Sequence, residues 1–211
     1  MKAKKARLQE ILGRLKQYYP DAHCALNFQH PYELLIATIL SAQCTDERVN
    51  QVTEKLFRKY PRLEDYAQAS LAELEADVKP TGFFRNKALA IQATAQQLLS
   101  EFGGEVPNSI PELTRLRGVG RKTASVVMGN AYGWAEGVVV DTHVKRLSQR
   151  LDLTRATTPE KIEQDLMRLL PQEEWVLFPH LLIFHGRQCC KARKPNCQAC
   201  FLTDLCPATQ R

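Results

Sequence analysis

Residues 116–124 read LRGVGRKTA. Gly118 and Gly120 flank Val119, and two cations, Arg121 and Lys122, follow at once. Glycine takes positive φ without steric cost, so this stretch permits a very tight turn. A helix that begins just after it directs free backbone N–H groups outward, where they attract anions. Such a turn between two helices is either a clamp for a phosphodiester or an ordinary connection with solvated cations. The stretch alone does not separate the two. Lys122 adds a second chemistry. A lysine must lose a proton before it attacks, and the ordinary ammonium pKa of about 10.4 makes the free amine rare at neutral pH. A helix start and a neighbouring cation both favour the neutral form, and Lys122 is given both by its position after Arg121.

The cysteines are the strongest signal. Cys190, Cys197, Cys200 and Cys206 fall in a C-x6-C-x2-C-x5-C pattern amid Lys, Arg, Pro and Asn, with few large apolar residues around them. A segment that cannot build its own core needs a cross-link to fold, and four thiolates on one centre supply it. Zinc and an iron–sulfur cluster both satisfy four-cysteine ligation. Zinc ribbons usually pair two C-x2-C hooks, so the single hook here favours a cluster, and Cys189 stands beside Cys190 as an alternative ligand. Cys24 and Cys44 read as buried thiols. Asp141 follows the apolar run Val138-Val139-Val140 and precedes Thr-His-Val-Lys-Arg, the position of a helix N-cap. Helix N-terminal N–H groups favour an ionised carboxylate, so capping is compatible with catalysis beside a lysine.

Helices must position these groups. The 211 residues, 44% hydrophobic, suffice for one large domain or two small ones, and a formal net charge of +6 suits a polyanionic partner. The longest uncharged apolar run, near residues 34–45, is too short to span a bilayer, and no signal-peptide core follows the basic N-terminus. A soluble, reducing compartment is expected, where seven cysteines argue for metal or reactivity rather than disulfides. Helical spacing predicts an amphipathic helix over 3–19 and an all-round apolar, buried helix over 32–40 behind Pro31. Thr45 is expected to cap the next helix, and capping boxes are expected at Ser70 with Glu73 and at Ser109 with Glu112. Further helices are expected over 86–102, after Gly120, over 142–151, from Pro159 to 170 and over 173–185. In the last, Pro179 is read as a kink and Gly186 as the terminator. No convincing strand is present, and the fold class is all-α.

Together these motifs resemble the endonuclease III family, the bifunctional DNA glycosylase/AP lyases of base-excision repair. The residues that carry the resemblance are LRGVGRKTA at 116–124, VDTH at 140–143, LSAQCTD at 40–46, HGR at 185–187 and the four-cysteine tail. The resemblance implies a two-domain helix-hairpin-helix glycosylase fold. A six-helix barrel would span 22–134 and carry the hairpin; residues 1–21 and 135–211 would form an iron–sulfur cluster domain. It implies one 4Fe–4S cluster, mainly structural, held by Cys190, Cys197, Cys200 and Cys206, and so prefers Cys190 to Cys189. It implies Lys122 as the nucleophile and Asp141 as the catalytic carboxylate. Gln43 would fill the space of a flipped base, and Phe83 would wedge the opposite strand. Gly118, Val119 and Gly120 would hold phosphates through backbone N–H groups beside Arg121, and Lys191, Arg193 and Lys194 would face DNA from a loop at 190–197. The expected partner is double-stranded DNA carrying damaged bases, foremost oxidised pyrimidines, or abasic sites. The expected setting is a monomer in the bacterial cytoplasm, with no membrane.

Three departures from the family pattern stand out. Arg117 occupies a position where proline is common, which loosens the turn and adds a cation. Phe83 replaces a more typical aliphatic wedge, and Cys44 sits in the Ser-Ala-Gln-X-Thr-Asp loop, open to oxidation if exposed. Two rival readings are a monofunctional adenine glycosylase and a non-catalytic helix-hairpin-helix DNA-binding module with structural zinc. The presence of Lys122, a chain ending at Arg211 and the pairing of Lys122 with Asp141 argue against them.

Overall fold

The computed structural model describes residues 2–210. Met1 and Arg211, the outer bounds of the expected cluster domain, lie outside them. Among the described residues the chain is helical without strands: α1 Lys2–Tyr18, α2 Pro31–Leu40, α3 Asp46–Lys59, α4 Leu63–Gln68, α5 Leu71–Val78, α6 Phe84–Glu101, α7 Ile110–Leu113, α8 Arg121–Tyr132, α9 Thr142–Arg150, α10 Pro159–Leu169 and α11 Leu177–Gln188. The chain divides into two compact units, one of residues 24–134 and one joining 1–23 to 135–211.

In the unit of residues 24–134, α2 is the centre. Every residue from Glu33 to Leu40 is buried, as its run of apolar side chains requires. Pro31 takes the first position, where its missing N–H leaves no gap. Glu33 closes the entry from the other side, its Oε2 accepting from the His30 N–H at 3.1 Å. α6 lies against α4 and α5, α8 against α2, and Leu34, Leu56, Tyr66, Leu74, Ile91 and Leu98 fill the space among them. Thr45 caps α3 as expected, accepting from Arg48 N–H at 3.3 Å. The Ser70 box does not form: Ser70 starts α5 without a side-chain bond. At Ser109 the cap forms, its Oγ accepting from Glu112 N–H at 3.4 Å, but the helix that follows is a single turn.

In the other unit, Leu8, Ile11, Leu12 and Leu15 make the buried stripe of α1, each worth about 1.5–3 kcal/mol of apolar burial. That stripe packs on α10 and α11. Polar bonds then tie α1 to the cysteine-rich segment. Arg7 donates to Leu151 O at 2.8 Å and Leu205 O at 2.9 Å, Arg14 donates to Phe201 O at 2.9 Å, and Tyr18 stacks on Phe201 at 4.2 Å. Two expectations for α11 fail together. Pro179 sits in its first turn, where no intrahelical N–H is needed, so it produces no kink. Gly186 lies inside the helix rather than ending it. A Cβ there would stand 2.6 Å from His143 Nδ1 and 2.9 Å from Arg146 Nη2, so this glycine lets α9 and α11 approach closely.

The hairpin turn needs its glycine for two reasons. Gly118 has φ +77°, and a Cβ on it would fall 2.8 Å from Ala90 Cβ. Gly118→Ala is therefore expected to lose about 2–3 kcal/mol of stability, from left-handed strain and overpacking together. Urea unfolding measures it, and an unchanged midpoint would show that the turn is not tight.

Candidate functional site

The turn at 116–120 is anchored from inside. Leu116 and Val119 are buried, and Val119 donates its N–H to Leu116 O at 3.1 Å. Val119 thus departs from its expected role: its N–H closes the turn instead of facing a phosphate. The groups left over are those of Gly118, Gly120 and the first residues of α8. The first α8 bond runs from Ala124 N–H to Gly120 O, so Arg121, Lys122 and Thr123 direct their N–H groups away from the helix. Arg117 does not leave the turn loose, because Thr94 Oγ1 of α6 donates to its carbonyl at 3.0 Å.

Lys122 is the second residue of α8 and is exposed. Among the described residues, no ion pair engages Arg117, Arg121, Lys122, Lys191, Arg193 or Lys194. Exposed cations without a carboxylate partner are available to phosphate.

Asp141 belongs to the other unit and caps α9: its Oδ1 accepts from Val144 N–H at 2.7 Å. It is half-buried. One bond leaves the second carboxylate oxygen for another partner.

Gln43 and Phe83 occupy the tips of two turns, and both carry left-handed backbone, with φ 53° and 48°. Phe83 is 64% exposed, an unusual state for an aromatic side chain in water. Lys194, in the 190–197 loop, is also left-handed at φ 52°. Of the non-glycine residues with positive φ among those described, only Asp152 lies outside the expected DNA contacts. Strain of this kind persists where the surroundings over-determine it, commonly at functional sites. Cys44 is half-buried against the core behind Gln43.

The cysteines converge. A cavity of about 250 Å³ is lined by Cys190, Cys197, Cys200 and Cys206, with Cys189 and His185 also on its wall. Burial pushes the Cys200 thiol up to about 11 and raises that of Cys206. Thiols held neutral in this way become thiolates when a cation binds them, so the donor set fits a metal centre. Among the described residues a second, overlapping set of ligand atoms also converges: those of His185, Cys189 and Cys200 lie within 4.8 Å of one another. His185 is buried and held neutral by that burial, its pKa lowered to about 4. Its Nδ1 meets Tyr19 OH at 3.1 Å and its Nε2 meets Cys200 Sγ at 3.5 Å.

Two arginines of α9, missed by sequence reasoning, fix this segment. Arg150 donates to Cys190 Sγ at 3.2 Å, Lys191 O at 2.8 Å and Ala192 O at 3.0 Å. Arg146 donates to Cys190 O at 3.0 Å and Gly186 O at 3.3 Å. The loop bearing Lys191, Arg193 and Lys194 is therefore held at its root, while its side chains stay exposed.

Known proteins share both halves of this arrangement. The family described as HhH-GPD superfamily base excision DNA repair protein matches residues 36–172, and the iron-sulfur binding domain of endonuclease III matches residues 190–206, beginning on Cys190 and ending on Cys206. Endonuclease III of Synechocystis sp. is 55% identical over 210 residues, covering 100% of this chain and 96% of that protein. Endonuclease III of Bacillus subtilis is 45% identical, covering 97% and 93%. A solved trapped endonuclease III–DNA covalent intermediate superposes with a TM-score of 0.91 at 45% identity, covering 98% of this chain and 97% of that one. A thermostable thymine-DNA glycosylase shares the fold at a TM-score of 0.87 and 23% identity. The cofactor is a 4Fe–4S cluster. By the match of both family models and by relatives 45–55% identical over nearly the whole chain, the chain belongs to the endonuclease III family and is a DNA glycosylase with AP lyase activity in base-excision repair.

Proposed function

We propose that this enzyme removes oxidised pyrimidines from double-stranded DNA and then cuts 3′ to the abasic site by β-elimination, with Lys122 as nucleophile and Asp141 as the catalytic carboxylate. The observation that carries the reading is Lys122 itself: an exposed lysine free of ion pairs among the described residues, in the first turn of α8, directly after a turn with outward N–H groups. An amine so placed beside bound phosphate lies within reach of a deoxyribose.

The damaged base leaves the stack before it reacts. Gln43 takes the vacated space and Phe83 wedges the opposite strand. Gly118 and Gly120 N–H groups, with Arg121, hold phosphates without reading sequence. Lys122 attacks C1′ as the base departs with the glycosidic electron pair, and Asp141 stabilises the positive charge that develops on the sugar. The lysine nitrogen of the C1′ adduct, having shed a proton, then opens the sugar ring by breaking C1′–O4′, with O4′ taking up a proton; the Schiff base so formed acidifies the C2′ proton, and loss of that proton expels the 3′ phosphate. Lys191, Arg193 and Lys194 add phosphate contacts from the loop rooted by Arg146 and Arg150. The enzyme works as a monomer in the bacterial cytoplasm; no helix among the described residues is long and apolar enough to cross a membrane.

Cys190, Cys197, Cys200 and Cys206 hold the cluster, which supplies a cross-link for a segment with little core of its own. Cys189 stays outside the ligand set; its thiol, raised by burial, bonds instead to Asn196 O at 3.4 Å. Cys190→Ser is expected to lose the brown iron–sulfur absorbance on purification and Cys189→Ser to keep it, read on the visible spectrum. The reverse pattern reassigns the ligand. The substrate class is tested by strand scission on duplexes carrying thymine glycol, a hydroxylated cytosine, an oxidised guanine or an adenine mispair. Cutting is expected at the two damaged pyrimidines, and cutting confined to either purine would overturn the assignment.

A further inference from the structure

Lys87, Ala90 and Thr94 share one face of α6, at spacings of three and four residues. Each meets a different segment. Thr94 pins Arg117 O, and Ala90 faces Gly118 at the closest approach of the hairpin turn. Lys87 reaches furthest: its Nζ donates to Leu40 O and to Thr81 O, both at 2.8 Å, across 47 and 6 residues of chain. It is 5% exposed and has no carboxylate partner among the described residues.

A buried ammonium satisfied by neutral carbonyls is an expensive way to fill a core position; an apolar side chain of the same volume costs less. What the ammonium uniquely does is join two carbonyls. Leu40 is the last residue of α2, three before Gln43; Thr81 ends the short turn Lys79–Thr81, two before Phe83. Gln43 and Phe83 are the strained, exposed tips, and neither has a side-chain hydrogen bond among the described residues. A left-handed non-glycine residue costs about 1–3 kcal/mol and needs outside support to persist. Among the described residues, the one side chain that hydrogen-bonds the roots of both tips is Lys87.

We propose that Lys87 is a positioning residue for base extrusion: by bridging Leu40 O and Thr81 O it fixes the Gln43 and Phe83 tips at the spacing required to enter one duplex together. This rests on the reading that Gln43 and Phe83 insert into DNA. Lys87 touches neither substrate nor reacting atoms; it acts through the two turns. The consequence is selective. Duplex substrates need both tips, whereas an abasic site in a single strand has no orphaned base to replace and no opposite strand to wedge.

Lys87→Met keeps stem length and removes the donor. In the cluster-loaded full chain it is expected to slow single-turnover base release from a thymine-glycol duplex about tenfold or more, since small misplacements cost up to about a hundredfold. Borohydride trapping on a single-stranded abasic oligonucleotide should stay within about twofold, and added to Gln43→Ala/Phe83→Ala the change should cause no further loss, as expected for groups acting as one unit. A fluorescent adenine analogue opposite the lesion should report the same loss of unstacking. If Lys87→Met does not fold, Lys87→Gln and Lys87→Arg carry the comparison, with the duplex-to-single-strand ratio falling more for Gln than for Arg. Parallel loss on both substrates, or no loss on either, overturns the proposal. If Gln43→Ala and Phe83→Ala leave base release unchanged, the insertion reading fails and takes this proposal with it; if they slow it and Lys87→Met does not, the proposal alone fails.

Discussion

Lys122→Ala is expected to abolish borohydride trapping on abasic DNA and to slow base release by on the order of 10³-fold or more, the scale seen when a covalent nucleophile is removed. The substitution is clean. Lys122 is exposed in the first turn of α8, and among the described residues no ion pair or side-chain hydrogen bond engages its ammonium. Alanine is the best helix former, so stability should move by a few tenths of a kcal/mol at most. Lys122→Arg separates charge from nucleophilicity: it keeps a cation for phosphate, cannot be deprotonated near neutral pH, and should be equally dead in trapping. Duplex affinity, measured by fluorescence anisotropy, should fall less than about tenfold for Ala and less again for Arg, since backbone N–H groups and Arg121 remain. Affinity lost in step with chemistry would make Lys122 a phosphate contact only.

Asp141→Asn is the second large effect. The carboxylate that would stabilise charge on the sugar through one oxygen caps α9 through the other, so an alanine there confounds two roles. Asparagine caps nearly as well as aspartate and can still accept the Val144 N–H bond now formed at 2.7 Å. Stability should therefore change by less than about 1 kcal/mol in urea unfolding. The lost negative charge should slow base release by about 10²–10³-fold, typical of one preorganised electrostatic contact to a transition state. Duplex binding should hold or tighten, because a carboxylate near phosphates is repulsive. Matching losses of stability and rate would reduce Asp141 to a cap.

Much of this was legible in the sequence, for reasons that differ by residue. α1 and α2 declare themselves through apolar spacing and through an all-apolar face, and Thr45 and Asp141 declare their caps because capping is decided within three residues. The four cysteines are legible because ligand spacing is local. What escaped is long-range or depends on geometry finer than a motif. Lys87 looks like a solvent-facing lysine until its carbonyl at Leu40, 47 residues away, is seen. Arg150 gives no local hint that it roots Cys190 and the loop behind it. By sequence Val119 is indistinguishable from its flanking glycines as a phosphate donor, whereas closing so tight a turn consumes its N–H. Gly186 looked like a helix stop because glycine serves both ends and close approaches, and only the neighbouring His143 and Arg146 decide between them. α4 was missed because six residues with Leu63 and Tyr66 as its buried positions carry too little periodicity to register.

The central claim is that covalent chemistry is done by the lysine behind the hairpin turn. The most direct measurement is to reduce the wild-type enzyme with borohydride during reaction on a thymine-glycol duplex, digest the trapped complex, and locate the sugar adduct by peptide mass spectrometry. The account predicts one adduct, on Lys122. An adduct on any other amine, or a wild-type enzyme that releases the base yet cannot be trapped, would contradict it.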